Sequence, residues 1–164
     1  MSSTDDSTNI EKTKDSSPIL ELESSLTNSI SKKFSNIEIV YINPNRIRVN
    51  VKKEEIIDVA TFIRDELQFD HAESVSGVDY PEDKQIEVVY HLGSYTDPSL
   101  SKQILALATR VPREDTPHPG NDNTKLPSLR DVFPSVSFHE RECFEMLGVY
   151  FDGHPDNRRL LLPE

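Results

Sequence analysis

The 164-residue chain contains a single cysteine, Cys143. No disulfide can form within it, and a reducing compartment is the simpler expectation. One thiol also falls short of the roughly four thiolates that an iron–sulfur cluster usually takes. The chain therefore holds no such cluster alone. Long apolar runs are missing as well. The longest, "ILALA" at 104–108, has the length of a core strand, not the roughly 18 residues of a membrane helix. The opening "MSSTDDSTNIEKTKDSS" has no apolar stretch and does not read as a secretory leader. Glycine is scarce. Its five positions, 77, 93, 120, 148 and 153, never form G-x-G-x-x-G or a P-loop, so no nucleotide site is written here. Positive charge is in deficit: 18 Lys and Arg stand against 29 Asp and Glu, for a net charge of −11. Phosphate contacts need basic residues in excess, which makes the chain a poor nucleic-acid binder.

What remains is enough for one domain with a real core. Residues 1–17 are polar and read as a disordered tail. An α+β domain is expected over 18–136, and a closing helix with an extended tail over 137–164. Ile19, Leu22, Leu26, Ile30 and Phe34 recur at helical spacing behind Pro18. "IEIVYI" and "RIRVNV" flank the turn "NPN", which predicts a hairpin. Ile56, Val59, Ala60, Ile63 and Leu67 share one face of a predicted amphipathic helix over 52–67. Strands are expected over 69–81, 85–95 and 102–112. A Pro-rich loop follows over 113–128, long enough to be functional or mobile. This order gives helices against one face of a mixed or antiparallel sheet.

The end of the chain, "FHERECFEMLGVYFDGHPDNRRLLLPE", concentrates the chemistry. Ser137 with Glu140 matches a capping box, placing the helix start at Phe138. Gly148 suits a left-handed cap. At 100° per residue, His139, Glu140, Cys143, Phe144, Met146 and Leu147 share the inward arc. Arg141, Glu142 and Glu145 fall opposite. His139 and Glu140 are then two ionisable side chains on the buried side that need partners, because an unpaired buried charge costs several kcal/mol, unless Glu140 is spent on the cap instead. His139 and Cys143, spaced i, i+4, are similar to the H-E-x-x-H zinc helix. His154 or Asp152 would supply a third ligand, and the chain would then be a small metal-dependent enzyme. A buried thiol beside a hydrogen-bonded histidine is the commoner arrangement. Pro155 holds His154 extended, and Gly153 relaxes the turn before it. The paired Arg158 and Arg159 suit carboxylates, and the apolar residues that follow suggest a contact surface. His71 and His91 read as satisfied strand residues, and His118 as a solvated loop residue.

These residues also resemble a family. Glu140, Arg141, Glu142, Gly148, Gly153, His154, Pro155, Asp156, Arg158 and Arg159 fit the signature of the 30 kDa (C-type) subunit family of respiratory complex I, the NADH–quinone oxidoreductase. "SGVDYPEDKQIEVVYHL" and "RVPRED…LPSLRDVFPSVSF" are similar to it too, and the likeness covers roughly 55–164. Asn157, Glu145 and Leu147 depart from its usual residues, and its members commonly run on beyond the point matching Glu164. The resemblance implies an α+β subunit with no catalytic residue, metal or cofactor of its own. It implies iron–sulfur clusters and quinone in partner subunits. It implies contacts with the quinone-site (D-type) subunit and with the cluster-bearing B-type and I-type subunits. It implies a peripheral position on the cytoplasmic side of the cell membrane. The signature residues would form the partner interface. Related subunits serve membrane-bound hydrogenases and ferredoxin- or deazaflavin-linked dehydrogenases, so the electron donor stays open.

Overall fold

The computed structural model describes residues 20–114 and 123–162. The polar tail over 1–17, His118 and the middle of the Pro-rich loop lie outside the described residues. Helix α1 spans Glu21–Lys33. It is followed by β1 (Glu38–Asn43) and β2 (Arg46–Asn50), paired antiparallel as the hairpin pattern predicts. Asn45 takes a positive φ of 60° in the turn, a conformation that asparagine tolerates better than most residues. Helix α2 spans Ile56–Asp65. It buries Ile56, Val59, Ala60 and Ile63, the stripe that the 3.6-residue period selects.

Strands β3 (His71–Tyr80) and β4 (Gln85–Gly93) form a second antiparallel hairpin. Strand β5 (Ile104–Pro112) does not extend that hairpin outward. It inserts beside β2 in parallel and beside β4 antiparallel. The five-stranded sheet therefore runs β1-β2-β5-β4-β3 and is mixed. All three helices contribute to a single core on one face of it. Leu26 and Ile30 of α1, the α2 stripe and Cys143 of α3 (Ser137–Leu147) join Ile47, Val49, Tyr90, Leu105 and Leu107 from the strands. The α+β expectation holds.

A short element is absent from the sequence reading. Strands β6 (Lys125–Pro127) and β7 (Tyr150–Asp152) pair in parallel as a separate two-stranded sheet. Three-residue strands carry too few positions for an alternating pattern to register. Their pairing ties the end of the Pro-rich loop to the segment after α3.

Candidate functional site

Helix α3 begins at Ser137, one residue before the expected start, and the capping box does not form. No side chain caps this end. A 3-10 turn over Pro134–Val136 runs straight into the helix, and the Ser137 amide donates to the Pro134 carbonyl. The helical geometry thus continues upstream, leaving less for a cap to satisfy. The two would-be capping side chains are used elsewhere. Ser137 Oγ lies 3.1 Å from His154 Nε2.

Glu140 is fully buried. Its carboxylate accepts the Tyr90 hydroxyl at 3.0 Å, the Ser128 hydroxyl at 2.6 Å and the Leu129 amide at 2.9 Å. Burial pushes its pKa up, and these three donors partly offset that. The expected need for partners is met by three donors from β4 and the 128–129 segment. One carboxylate thereby links the sheet, the chain before α3 and α3 itself. No sequence pattern pointed to Tyr90 or Ser128.

The inward arc holds for Cys143 and, in part, for Phe144 and Leu147. It fails for Met146, which is 59 % exposed, because the helix turns its buried side toward β3 around Glu140, Cys143 and Leu147. Arg141 fails in the opposite sense. Predicted outward, its side chain is only 12 % exposed, because the tail folds back over it. Its guanidinium donates to the carbonyls of Arg158 and Arg159 at 3.1 and 2.9 Å and lies 3.4 Å from Asp156. Glu142 is exposed. Gly148 has a φ of 76° and closes α3 with a left-handed cap as expected.

Leu147 also explains a glycine. A Cβ on Gly77 of β3 would collide with the Leu147 side chain and come 3.6 Å from Cys143 Sγ. The bare backbone lets α3 lie directly on the strand.

The tail is held by two further devices. His154 is buried, accepts the Asp156 amide at Nδ1 over 3.1 Å, and lies 3.1 Å from the Ser137 carbonyl at Nε2. An acceptor Nδ1 places the ring proton on Nε2, which donates to Ser137. Pro155 and Gly153, with a φ of 84°, shape this turn. Asp156 then takes Arg158 bidentately, at 2.8 and 3.0 Å. The Arg158 side chain and amide, followed by Arg141, hold the Asp156 carboxyl well below the usual carboxylate range. Glu145, predicted to face outward, receives the amides of Leu160, Leu161 and Leu162 at 3.1, 2.7 and 2.8 Å. Those amides outweigh burial and lower its pKa. The backbone is fastened while side chains point out: Arg158 is 86 % and Leu161 61 % exposed.

The metal alternative is not assembled. Among the described residues no group of three His, Cys, Asp or Glu side chains is placed to hold an ion. Both ring nitrogens of His154 are engaged. Burial, then Glu142 and Glu140, push the Cys143 thiol up to about 12, far from a thiolate nucleophile. His91 pairs with Ser74 at 3.2 Å; His71 pairs with Asp70 at 2.8 Å through Nδ1, while its buried Nε2 lies 3.0 Å from Glu73 and makes no hydrogen bond, so it is satisfied only in part.

The geometry defines a small α+β domain carrying a fastened tail. Comparison with known proteins gives this a family. Residues 49–164 match the model of the respiratory-chain NADH dehydrogenase 30 kDa subunit, and the chain belongs to that family. It is 38 % identical over 122 residues to the C-type subunit of the F(420)H(2) dehydrogenase of Methanosarcina mazei, covering 74 % of this chain and 70 % of that one. It is 40 % identical over 121 residues to the C-type subunit of the NADH-quinone oxidoreductase of a Roseiflexus species, covering 72 % of this chain and 63 % of that protein. Among solved structures, it is similar to a chain of the membrane-bound sulfane sulfur reductase, an archaeal respiratory membrane complex. There the TM-score is 0.70 and the identity 25 %, over 87 % of this chain and 76 % of that chain. The trypsin-resistant fragment of Nqo5 gives a TM-score of 0.61 and 26 % identity, over 82 % and 98 %. The chain spans less than two thirds of the length of most of the curated relatives it matches, 63 % and 47 % in two of them. No described helix is long and apolar enough to cross a membrane.

Proposed function

We propose that the chain is a non-catalytic subunit of the hydrophilic arm of a complex I-like quinone oxidoreductase. In this reading it docks through its carboxyl-terminal tail on the quinone-site (D-type) subunit, near the cluster-bearing B-type and I-type subunits. Iron–sulfur clusters and quinone belong to those partners, and electron transfer to quinone drives ion translocation. This chain sits peripherally, on the cytoplasmic side of the membrane.

The observation that carries this reading is the tail itself. Glu145, Arg141 and His154 fix its backbone, while Arg158 and Leu161 face outward. A segment ordered in advance loses less conformational freedom on binding. An exposed arginine beside apolar side chains has the composition of an interface anchor.

Arg158→Ala is the test. Arg158 is exposed, so the isolated domain should keep its fold, checked by circular dichroism. The yield of assembled complex and the rate of quinone reduction should fall together. Normal assembly with Arg158→Ala would refute the interface.

The 38 % identity to a protein of the F(420)H(2) dehydrogenase favours a second reading of the electron donor, in which a deazaflavin replaces NADH. Quinone reduction by the purified complex with NADH or with reduced deazaflavin decides between them.

A further inference from the structure

Glu23 lies in the first turn of α1 and is only 2 % exposed. One oxygen of its carboxylate is well served: Oε1 accepts the Asn45 amide at 2.8 Å and Gln103 Nε2 at 2.7 Å. Gln103, the residue before β5, is buried too, and its Nε2 also lies 3.4 Å from Asn45 Oδ1. Three segments distant in sequence thus meet on one carboxylate: the start of α1, the β1–β2 turn and the entry to β5. The turn is held there by its own backbone as well. The Asn45 carbonyl accepts the Ile104 amide at 3.1 Å and Arg46 Nη1 at 2.9 Å.

The cluster lacks donors on its other side. Glu23 Oε2 and Gln103 Oε1 are both buried and accept no hydrogen bond. They belong to groups already joined at 2.7 Å, so the two free oxygens are members of one cluster. Burial alone would raise the Glu23 pKa, but Gln103 and the Asn45 amide outweigh it and hold the carboxyl below its ordinary value. The group is therefore an anion at neutral pH. No cationic side chain offsets it: the groups that act on it are Gln103, Asn45 and its own backbone. A buried charge is normally paired or bound to a metal ion. The other two buried carboxylates among the described residues are met, Glu87 by Arg48 and Arg110 and Glu140 by three donors.

The free atoms fix the kind of partner. Both are oxygens, one ionised and one an amide carbonyl, and such ligands suit hard cations. The cluster holds one negative charge, and Arg46 at the same turn adds a positive one nearby. A divalent ion would leave excess positive charge in the interior, whereas a monovalent ion balances the carboxylate.

We propose that Glu23 Oε2 and Gln103 Oε1 are ligands of a buried monovalent cation, sodium or potassium, which fastens α1 to the Asn45 turn and to the entry of β5. The site shares no residue with the carboxyl-terminal tail and does not rest on the tail's assignment.

The test follows the Tm of the full chain as sodium chloride replaces choline chloride at fixed ionic strength. Screening of the net charge of −11 then stays constant. The Tm should rise along a saturating curve, by about 3 °C when the ion reaches about ten times its Kd. Potassium chloride is the second arm, and a saturable rise in either salt supports the site. Glu23→Gln keeps the size of the side chain and should abolish the rise. Gln103→Leu removes the other ligand and should move the midpoint of the curve at least about tenfold higher. Glu21→Gln, at an exposed position in the same turn, should leave the curve unchanged. Circular dichroism checks the fold of each variant. Coincident curves in sodium, potassium and choline would leave a buried water as the donor to both oxygens and overturn the proposal, with no variant needed. So would a rise that survives Glu23→Gln, or one produced by calcium and by neither monovalent ion.

Discussion

Tyr90 on β4 donates its hydroxyl to Glu140 on α3 across 3.0 Å, and neither side chain meets solvent. With Ser128 and Leu129 also donating, removing the carboxylate leaves three donors without this acceptor, of which Tyr90 and Leu129 are buried. Glu140→Ala should therefore cost at least about 1–3 kcal/mol, the range for leaving one buried polar group unsatisfied. Tyr90→Phe, which removes one donor, should cost about 1–3 kcal/mol. Urea unfolding of each variant measures this. Equal midpoints for Glu140→Ala and the parent chain would contradict the linking role.

Gly77 and Leu147 occupy one space. Gly77→Ala should destabilise by about 1–3 kcal/mol, as overpacking does. Adding Leu147→Ala should return part of that loss, because the two sites are in contact. Thermal unfolding of the two single variants and the double variant reads the coupling. Strict additivity would mean that α3 does not lie on β3 at this point.

Acid should loosen the β3 entry. Burial alone would raise the Asp70 pKa, but the Thr96 hydroxyl, His71 and the amides of Tyr95 and Thr96 hold it well below its ordinary 3.8. A depressed carboxylate stabilises the fold above its unfolded pKa, and that contribution is lost as pH falls through the folded value. Between about pH 5 and about pH 2, the Tm of Asp70→Asn should fall less than that of the parent chain. Parallel curves would remove Asp70 as a source of the acid sensitivity.

Cys143 should be silent. With its thiol pushed up to about 12, the thiolate fraction near pH 8 is on the order of one in ten thousand. Iodoacetamide should label it only after addition of urea, as followed by mass spectrometry.

Much of this architecture was legible in the sequence, and the misses share a cause. The α2 stripe and the two hairpins depend on local periodicity and turn residues, so they could be read directly. The Pro-rich loop hid β6, because three residues cannot display an alternation. Ser137 and Glu140 satisfied a local capping rule, yet both side chains found partners far away in sequence. His154 lies 17 residues from Ser137 and Tyr90 lies 50 from Glu140. Arg141 and Met146 exchanged expected environments because the tail returns over one flank of α3 only. A helical wheel gives an angle but not what covers it.

The tail can be freed by the same logic. Arg141→Ala or Glu145→Gln should raise the rate of tryptic cleavage after Arg158 and Arg159 several-fold, since proteolysis follows local opening. Cleavage products are read by mass spectrometry. An unchanged rate in both variants would show that these contacts do not fasten the segment.

The middle of the sheet is made last. Both hairpins are complete in the chain by Gly93, yet they share no edge until Ile104–Pro112 slides between them. On a ribosome the two halves must wait, each with one flank unzipped, for a strand not yet synthesised. A nascent chain halted before Pro112 leaves the exit tunnel as two loose β-ribbons rather than a domain.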